Sequence, residues 1–384
     1  PENKDTTRLD YIWVQGASVN TYIHINETFG RSVTPSDHFP IMANITLEAY
    51  NPDHKFYVSA TAGKGGDGSA SSPFGSLREA VERTARGDTV YVAAGDYSAT
   101  DAGLDIPHSL TILGGYDSSF NQVEGLSRID GKGDVPHVMT VQKGAALELS
   151  DFEIAGGKAD GSASASTGAG IAALGARLDL RNVTVRDNYA KGNGAGVYAA
   201  GQLLCTGCRF ERNISDGYGG GFYTHYSGDK LWWRFCISGC HFADNEAAQG
   251  SAAFIGGFSK AFVGHNTFSG NKARQNGTLA LAGAIYESHT SLVNNTFYGN
   301  TVTATPGAIN AVKGGSAVFA KLFSSSSVCF MGNTIVGNSS VCGDASSVPD
   351  DFRGGAVNIF SGTATFYGNI IGGNTTNAAD GIAD

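Results

Sequence analysis

The residues suited to chemistry are few and unevenly spread. Asp229, Lys230, Trp232, Trp233 and Arg234 stand together. Paired indole rings there can stack on the apolar face of a sugar while Arg234 and Asp229 hydrogen-bond its hydroxyls. The same tryptophans would equally pack their segment onto its neighbours. Asp350, Asp351 and Arg353 form a second charged group, read as a solvated loop. Near the start, Asp10 and the pair Asp37-His38 offer two carboxylates and an imidazole; taken alone, they are a salt-bridging Asp and an Asp-His in a loop. Cys205, Cys208, Cys236 and Cys240 read C-x2-C…C-x3-C, a zinc-like spacing, with Cys329 and Cys342 further on. Gly63, Gly65 and Gly68 spell G-x-G-x-x-G. The helix signal that follows begins several residues too late to set its N-terminus on a phosphate, so no dinucleotide site is expected.

These groups must be positioned by a chain of unusual composition. It has 384 residues, 54 of them glycine, and only 16% are charged, against about a quarter in ordinary globular domains. At 41% hydrophobic residues it has the apolar surface for a core and is not disordered. Many short strands joined by tight turns fit this balance. The net charge of −9 argues against a general nucleic-acid coat, which needs a basic field, but not against a nuclease with local contacts. No apolar run is long enough to span a membrane. The chain reads as beginning inside a domain, so the absence of a signal peptide carries no information.

From about residue 140 an apolar residue recurs three positions before an Asn. The copies end at Asn188, Asn213, Asn245, Asn271, Asn300, Asn338 and Asn374, at intervals of 25 to 38 residues. Between them lie small residues followed by a β-former: Gly194-Ala-Gly-Val-Tyr198, Gly219-Gly-Gly-Phe-Tyr223, Gly250-Ser-Ala-Ala-Phe254, Ala282-Gly-Ala-Ile-Tyr286, Pro306-Gly-Ala-Ile-Asn310 and Gly354-Gly-Ala-Val-Asn358. Thr167-Gly-Ala-Gly-Ile171 reads as an earlier copy. A period of this size means a solenoid, in which stacked coils bury a continuous core that no single coil could bury. The repeated Asn is expected in a left-handed turn conformation, passing amide hydrogen bonds from coil to coil. The predicted fold is all-β, a right-handed parallel β-helix. Before the repeats, Phe56-Tyr-Val58 reads as a strand. Ser76-Leu-Arg-Glu79 reads as a capping box opening a short helix through about Ala85, and Gly87–Tyr97 returns to strand.

The paired Gly-Gly-Ala-Ile and Phe-x-x-Asn motifs resemble the repeats of polymorphic outer-membrane proteins of the chlamydial type. The helix-then-strand order before them is similar to the start of pectate-lyase-like β-helix proteins, where a short helix covers the open end. Within the repeat, Cys208 and Cys240 each stand two residues before a motif Phe and should be equivalent on adjacent coils, with Cys205 and Cys236 near-equivalent. Three states stay open for them: disulfides Cys208–Cys240 and Cys205–Cys236, free stacked thiols, or a zinc site. Cys329 and Cys342 could close a loop. Disulfides would fit an extracytoplasmic location.

Arg8-Leu-Asp-Tyr-Ile and Pro35-Ser-Asp-His-Phe-Pro, followed by a strand at Ile41–Leu47, resemble the last strands of an endonuclease/exonuclease/phosphatase domain, the DNase I-like metal-dependent phosphodiesterases. The resemblance covers about 45 residues. It implies that His38 is the catalytic His, that Asp37 helps ligate metal or orient the site, and that Asp10 pairs with the His ring. A carboxylate there would fix the imidazole tautomer and support its charged form beside a phosphate. The family's principal metal-binding Glu, its Asp-x-Asn pair and its other catalytic His have no counterpart here. The expectation is therefore residues 1–50 as a hairpin left from a DNase I-like α/β sandwich, then a β-helix over 51–384, with a cap region at 51–105 and coils at 106–384.

On this reading the chain is the C-terminal part of an extracytoplasmic bacterial phosphodiesterase, inactive as a nuclease by itself. Magnesium or another divalent ion and a phosphodiester substrate belong to the intact parent. No cofactor is expected for the β-helix. Its expected partner is polysaccharide or cell-surface glycan, bound through Asp229, Trp232, Trp233 and Arg234, and a monomer is expected. The alternative is a surface adhesin-like or polysaccharide-active β-helix with a vestigial nuclease segment.

Overall fold

The computed structural model describes residues 17–24, 41–47, 54–225, 234–257, 260–282, 288–304, 314–322, 324–342 and 355–376. The chain divides into two compact units, Pro1–Pro52 and Asp53–Asp384. In the first, Ala17–His24 pairs antiparallel with Ile41–Leu47, with a register shift between Val19 and Thr21. Asp10, Asp37 and His38 lie outside the described residues.

The second unit is a right-handed parallel β-helix. Among the described residues its short strands form four parallel sheets of 11, 10, 9 and 8 strands. From the strand Ala146–Ser150 onward the coils visit the 11-stranded, 10-stranded, 8-stranded and 9-stranded sheets in turn, while the coils opened by Thr89–Ala93 and Leu110–Tyr116 have no strand in the 8-stranded sheet. The two-residue alternation of a strand points one set of side chains inward on every face. Register then stacks like on like. One inner column runs Val90, Ile112, Leu149, Leu180, Cys205, Ile237, Val263, Leu292, Phe330. Another holds the motif aromatics: Phe210, Phe242, Phe268 and Phe297 stack with centroids 4.8, 4.8 and 4.5 Å apart and rings within 7° of parallel. That distance matches the spacing of neighbouring strands, so the rings lie face on face at no strain.

The expected Asn ladder is present, with one correction. Asn188, Asn213, Asn245, Asn271, Asn300, Asn338 and Asn374 are buried, and each of the first six side chains donates from Nδ2 to the Oδ1 of the next at 2.8–3.0 Å. Each Oδ1 from Asn213 onward also accepts the backbone N–H of the Asn before it. The left-handed residue is not the Asn but its predecessor: Asp187, Arg212, Asp244, Gly270, Gly299, Gly337 and Gly373 all have positive φ. The turn is made one position early, so the Asn can point inward.

A second column of the same kind was not anticipated. Asn266, Asn295, Asn333 and Asn369 form it at the turn between the 11- and 10-stranded sheets, with Nδ2–Oδ1 distances of 2.9, 3.0 and 2.9 Å. In earlier coils Cys240 and Cys208 occupy the same column. The Cys240 N–H donates to Asn266 Oδ1 at 2.8 Å, and the Cys208 N–H to Cys240 Sγ at 3.3 Å. The thiols in turn donate to backbone carbonyls, Cys208 to Leu180 and Cys240 to Ser238.

Two of the small-residue motifs, at 282–286 and 306–310, do not supply the turns of this column. The inner column of the 9-stranded sheet runs Ile171, Val197, Phe222, Ala253, Leu279, Val318, Val357. The turns before Leu279 and Val318 are therefore Gly277-Thr278 and Gly315-Ser316. Residues 283–287 and 305–313 lie outside the described residues. At these turns glycine is required: Gly219 and Gly250 have φ of 71° and 58°, and a Cβ on either would strike the carbonyl of Phe222 or Ala253.

The N-terminal end of the solenoid is closed by helix α1, Leu77–Arg83, which buries Leu77, Ala80 and Val81. It stops two residues short of the expected Ala85, at Thr84, whose N–H and hydroxyl both donate to Val81. Ser76 caps it, accepting from Glu79 N–H at 3.3 Å. The stronger cap is Asp101, fully buried, which accepts from Leu77 N–H at 3.0 Å, Arg78 N–H at 2.7 Å and Ser76 Oγ at 2.8 Å. A carboxylate at a helix N-terminus meets both the free donors and the helix dipole.

Candidate functional site

The outer faces of the sheets are where a solenoid presents chemistry. On the 9-stranded sheet one outward column runs Thr140, Ala172, Tyr198, Tyr223, Phe254, Ala280, Phe319. Tyr198 stacks on Tyr223 at 5.4 Å and Tyr223 on Phe254 at 5.0 Å, with rings within 19° of parallel. Tyr218, from the preceding turn, stacks on Phe254 at 5.2 Å. Tyr223 and Phe254 are 9% and 8% exposed, while Tyr198 is half-buried. Burial, with the neighbouring Tyr198 and Tyr218 hydroxyls, pushes the Tyr223 phenol up to about 12; burial also raises Tyr198. Both phenols are therefore neutral near pH 7, able to donate and accept.

The strand Phe222–His225 that carries Tyr223 ends at His225, whose ring centroid is 6.4 Å from that of Tyr223. Residues 226–233 follow, so Asp229, Trp232 and Trp233 lie outside the described residues. Arg234 opens the next strand, Arg234–Ser238, with its backbone paired to Lys260; its side chain is also outside. Chain order alone joins the predicted sugar-stacking cluster to the aromatic column. Asp350, Asp351 and Arg353 are likewise outside. The aromatic column had a sequence signal. Its members are the last residues of the Gly-Ala-Gly-Val-Tyr-like motifs, where strand alternation turns the residue after the inward β-former outward.

Charged groups on the 10-stranded sheet engage one another. Glu153 bridges Arg128 at 3.0 Å and Arg186 at 2.6 Å. Asp187 binds Arg186 and Arg212, and Glu211 binds Arg209 and Arg212. Burial pushes the Asp187 carboxyl up, but Arg212 and Arg186 outweigh it and hold it below the usual range. These residues tie four coils together rather than offering free acids. Among the described residues no three His, Cys, Asp or Glu side chains gather as a metal site.

The five described cysteines are free thiols. Cys208 and Cys240 are equivalent on adjacent coils, as their column shows. The Cys205–Cys236 pairing fails on register: Cys205 lies beside Ile237 and faces the core, while Cys236 lies beside Leu204 and faces outward. The same opposition prevents the four thiols from gathering around zinc. Burial pushes the Cys205 thiol well up. The side chain of Cys342 lies outside the described residues.

The family model for a right-handed β-helix region matches residues 141–302. That span holds the Asn ladder from Asn188 to Asn300 and the stacked rings of Tyr198, Tyr223 and Phe254. A crystal structure of the pectate lyase Pel9A is similar at 13% identity over 82% of this chain and 79% of that one, with a TM-score of 0.45. No curated protein matches.

Proposed function

We propose that the β-helix is a glycan-binding module of an extracytoplasmic protein, and that it binds along the outer face of the 9-stranded sheet. The observation that carries this reading is the aromatic column. Tyr198 is covered on one side by Tyr223, but its neighbour on the other side is Ala172, too small to cover a ring. A pyranose could stack on that side of the half-buried Tyr198 ring, with neutral phenols beside it to bond hydroxyls. Trp232, Trp233, Asp229 and Arg234, next in the chain after His225, would extend the platform. The net charge of −9 favours a neutral glycan over a polyuronate, which the chain would repel. Residues 1–50, with Asp10, Asp37 and His38, are proposed as the end of a metal-dependent phosphodiesterase domain whose chemistry needs the longer protein; this rests on the motifs alone.

Affinity electrophoresis of the full chain through gels holding neutral polysaccharides, with polygalacturonate as the anionic comparison, tests the binding. Retardation by a neutral glycan, lost in Trp232→Ala/Trp233→Ala, is expected. Equal mobility in every gel would contradict it.

A further inference from the structure

The N-terminus of α1 is already occupied, since Ser76 and Asp101 accept its free donors. The glycine-rich turn before it, Gly63–Gly68, has donors to spare. This turn is pinned on both sides. The Ser59 N–H donates to the Phe74 carbonyl and the Ala62 N–H to the Ser59 carbonyl, while the Asp67 and Gly68 N–H groups both donate to the Ser72 carbonyl. In the middle Gly66 lies so close to Pro73 that an added Cβ would sit 2.1 Å from its carbonyl oxygen. Between these anchors the backbone N–H groups of Gly63, Lys64, Gly65 and Gly66 donate to nothing in the protein. Gly65 has a φ of 93°, and the space beside Gly63 and Gly65 is open. The same turn lines a cavity of about 460 Å³ together with Ser59, Thr61, Ser72 and Ser118. Lys64 is the one charged residue in that lining. The carboxylates next to it in the chain, Asp67 and Asp117, are taken up by their own turns. Asp67 accepts from the Ser69 N–H at 2.9 Å, and Asp117 from the Asn121 N–H and Ser119 Oγ, both at 2.7 Å.

We propose that this cavity binds a phosphomonoester, with the phosphate on the Gly63–Gly66 amides and the Lys64 ammonium and the organic part against the hydroxyl-bearing wall. Successive backbone N–H groups in a glycine turn form a concavity that favours an anion, and two of these positions have no side chain or neighbour to block its approach. The lining sets donors and one cation against no carboxylate, so the ligand is the negative partner. Three terminal oxygens on a phosphate can take several of these donors at once, where a carboxylate offers two. The volume lies within the roughly 300–1,000 Å³ of small-molecule sites and exceeds what a bare phosphate fills, which favours an ester over the free ion. Serine and threonine hydroxyls suit a hydroxylated carrier, a polyol or sugar, over an apolar one. The site does not depend on the aromatic column or on glycan binding there.

Amide-resolved NMR titration of the full chain with glycerol phosphate tests this, beside inorganic phosphate, glycerol, and sodium chloride at matched ionic strength. Saturable shifts of the Gly63, Gly65 and Gly66 amides are expected with both phosphates, at lower concentration for the ester, and none with glycerol or chloride. Lys64 is exposed, so Lys64→Met should keep the thermal midpoint while weakening glycerol phosphate about tenfold or more. Shifts that follow ionic strength alone, saturation at other amides only, or equal affinity in Lys64→Met would overturn the proposal. Inorganic phosphate binding as tightly as glycerol phosphate would overturn the assignment of an ester.

Discussion

At the scale of single residues, stability concentrates in the side-chain ladders. Asn271 accepts from the N–H and Nδ2 of Asn245 and donates to Asn300 Oδ1 and the Phe242 carbonyl, all in full burial. Asn271→Leu leaves several of these groups unpaired and should cost about 3 kcal/mol in denaturant unfolding. Asn271→Asp should also destabilise, because it removes the donor. Cys240 sits where the next Asn of the second column would be. Cys240→Asn should stabilise by about 1 kcal/mol if its amide reaches Asn266 Oδ1, whereas Cys240→Ala should destabilise; the denaturant midpoints decide. His241 gives a pH prediction. Burial, then Arg209, lowers its pKa in the folded chain. The unfolded state then binds the proton more readily, so stability is full above the unfolded His value near ~6.5 and falls as pH drops toward the folded one. His241→Thr, matching Thr267 beside it in the column, should flatten the thermal midpoint between neutral and mildly acid pH. The first Asn column was legible because Asn recurs in every coil after an apolar residue. The second was not, because cysteines interrupt it, although the repeated Asn-Thr pairs at 266, 295 and 333 were a usable signal.

At the scale of elements, α1 shows how a local sequence signal can name an element and miss its anchor. Ser76 and Glu79 mark the helix start, but Asp101 is distant in sequence and becomes its cap only when the first coil closes. Asp101→Ala should lose about 3 kcal/mol, since it strands three donors, and Asp101→Asn less; thermal unfolding measures both. The misplaced motif copies have a comparable cause. Gly-Ala-Ile at 283–285 and 307–309 has the right composition, but strand pairing takes Leu279 and Val318, because register is set by the whole coil and not by the best local match. Cys205 and Cys236 failed as a pair for the same reason: one step along a strand exchanges inside for outside.

At the scale of the molecule, the coils make two surfaces with different uses. The 10-stranded face spends its charge on ion pairs that link coils, so added salt should alter stability only modestly. The 9-stranded face gathers aromatics outward, which an interior role does not require. That this fold is a β-helix was readable from periodicity; what it binds was readable only as residue types, Tyr and Trp near Arg and Asp, since sugar recognition depends on which ring faces are left uncovered. The most direct test of the glycan-binding account is calorimetric titration of a neutral oligosaccharide into the full chain and into Tyr198→Ala. Binding by the chain, weakened about tenfold or more in the variant while the thermal midpoint stays close, is the predicted result. Equal affinity in both would contradict the placement of the site on the aromatic column, and no heat in either would contradict glycan binding itself.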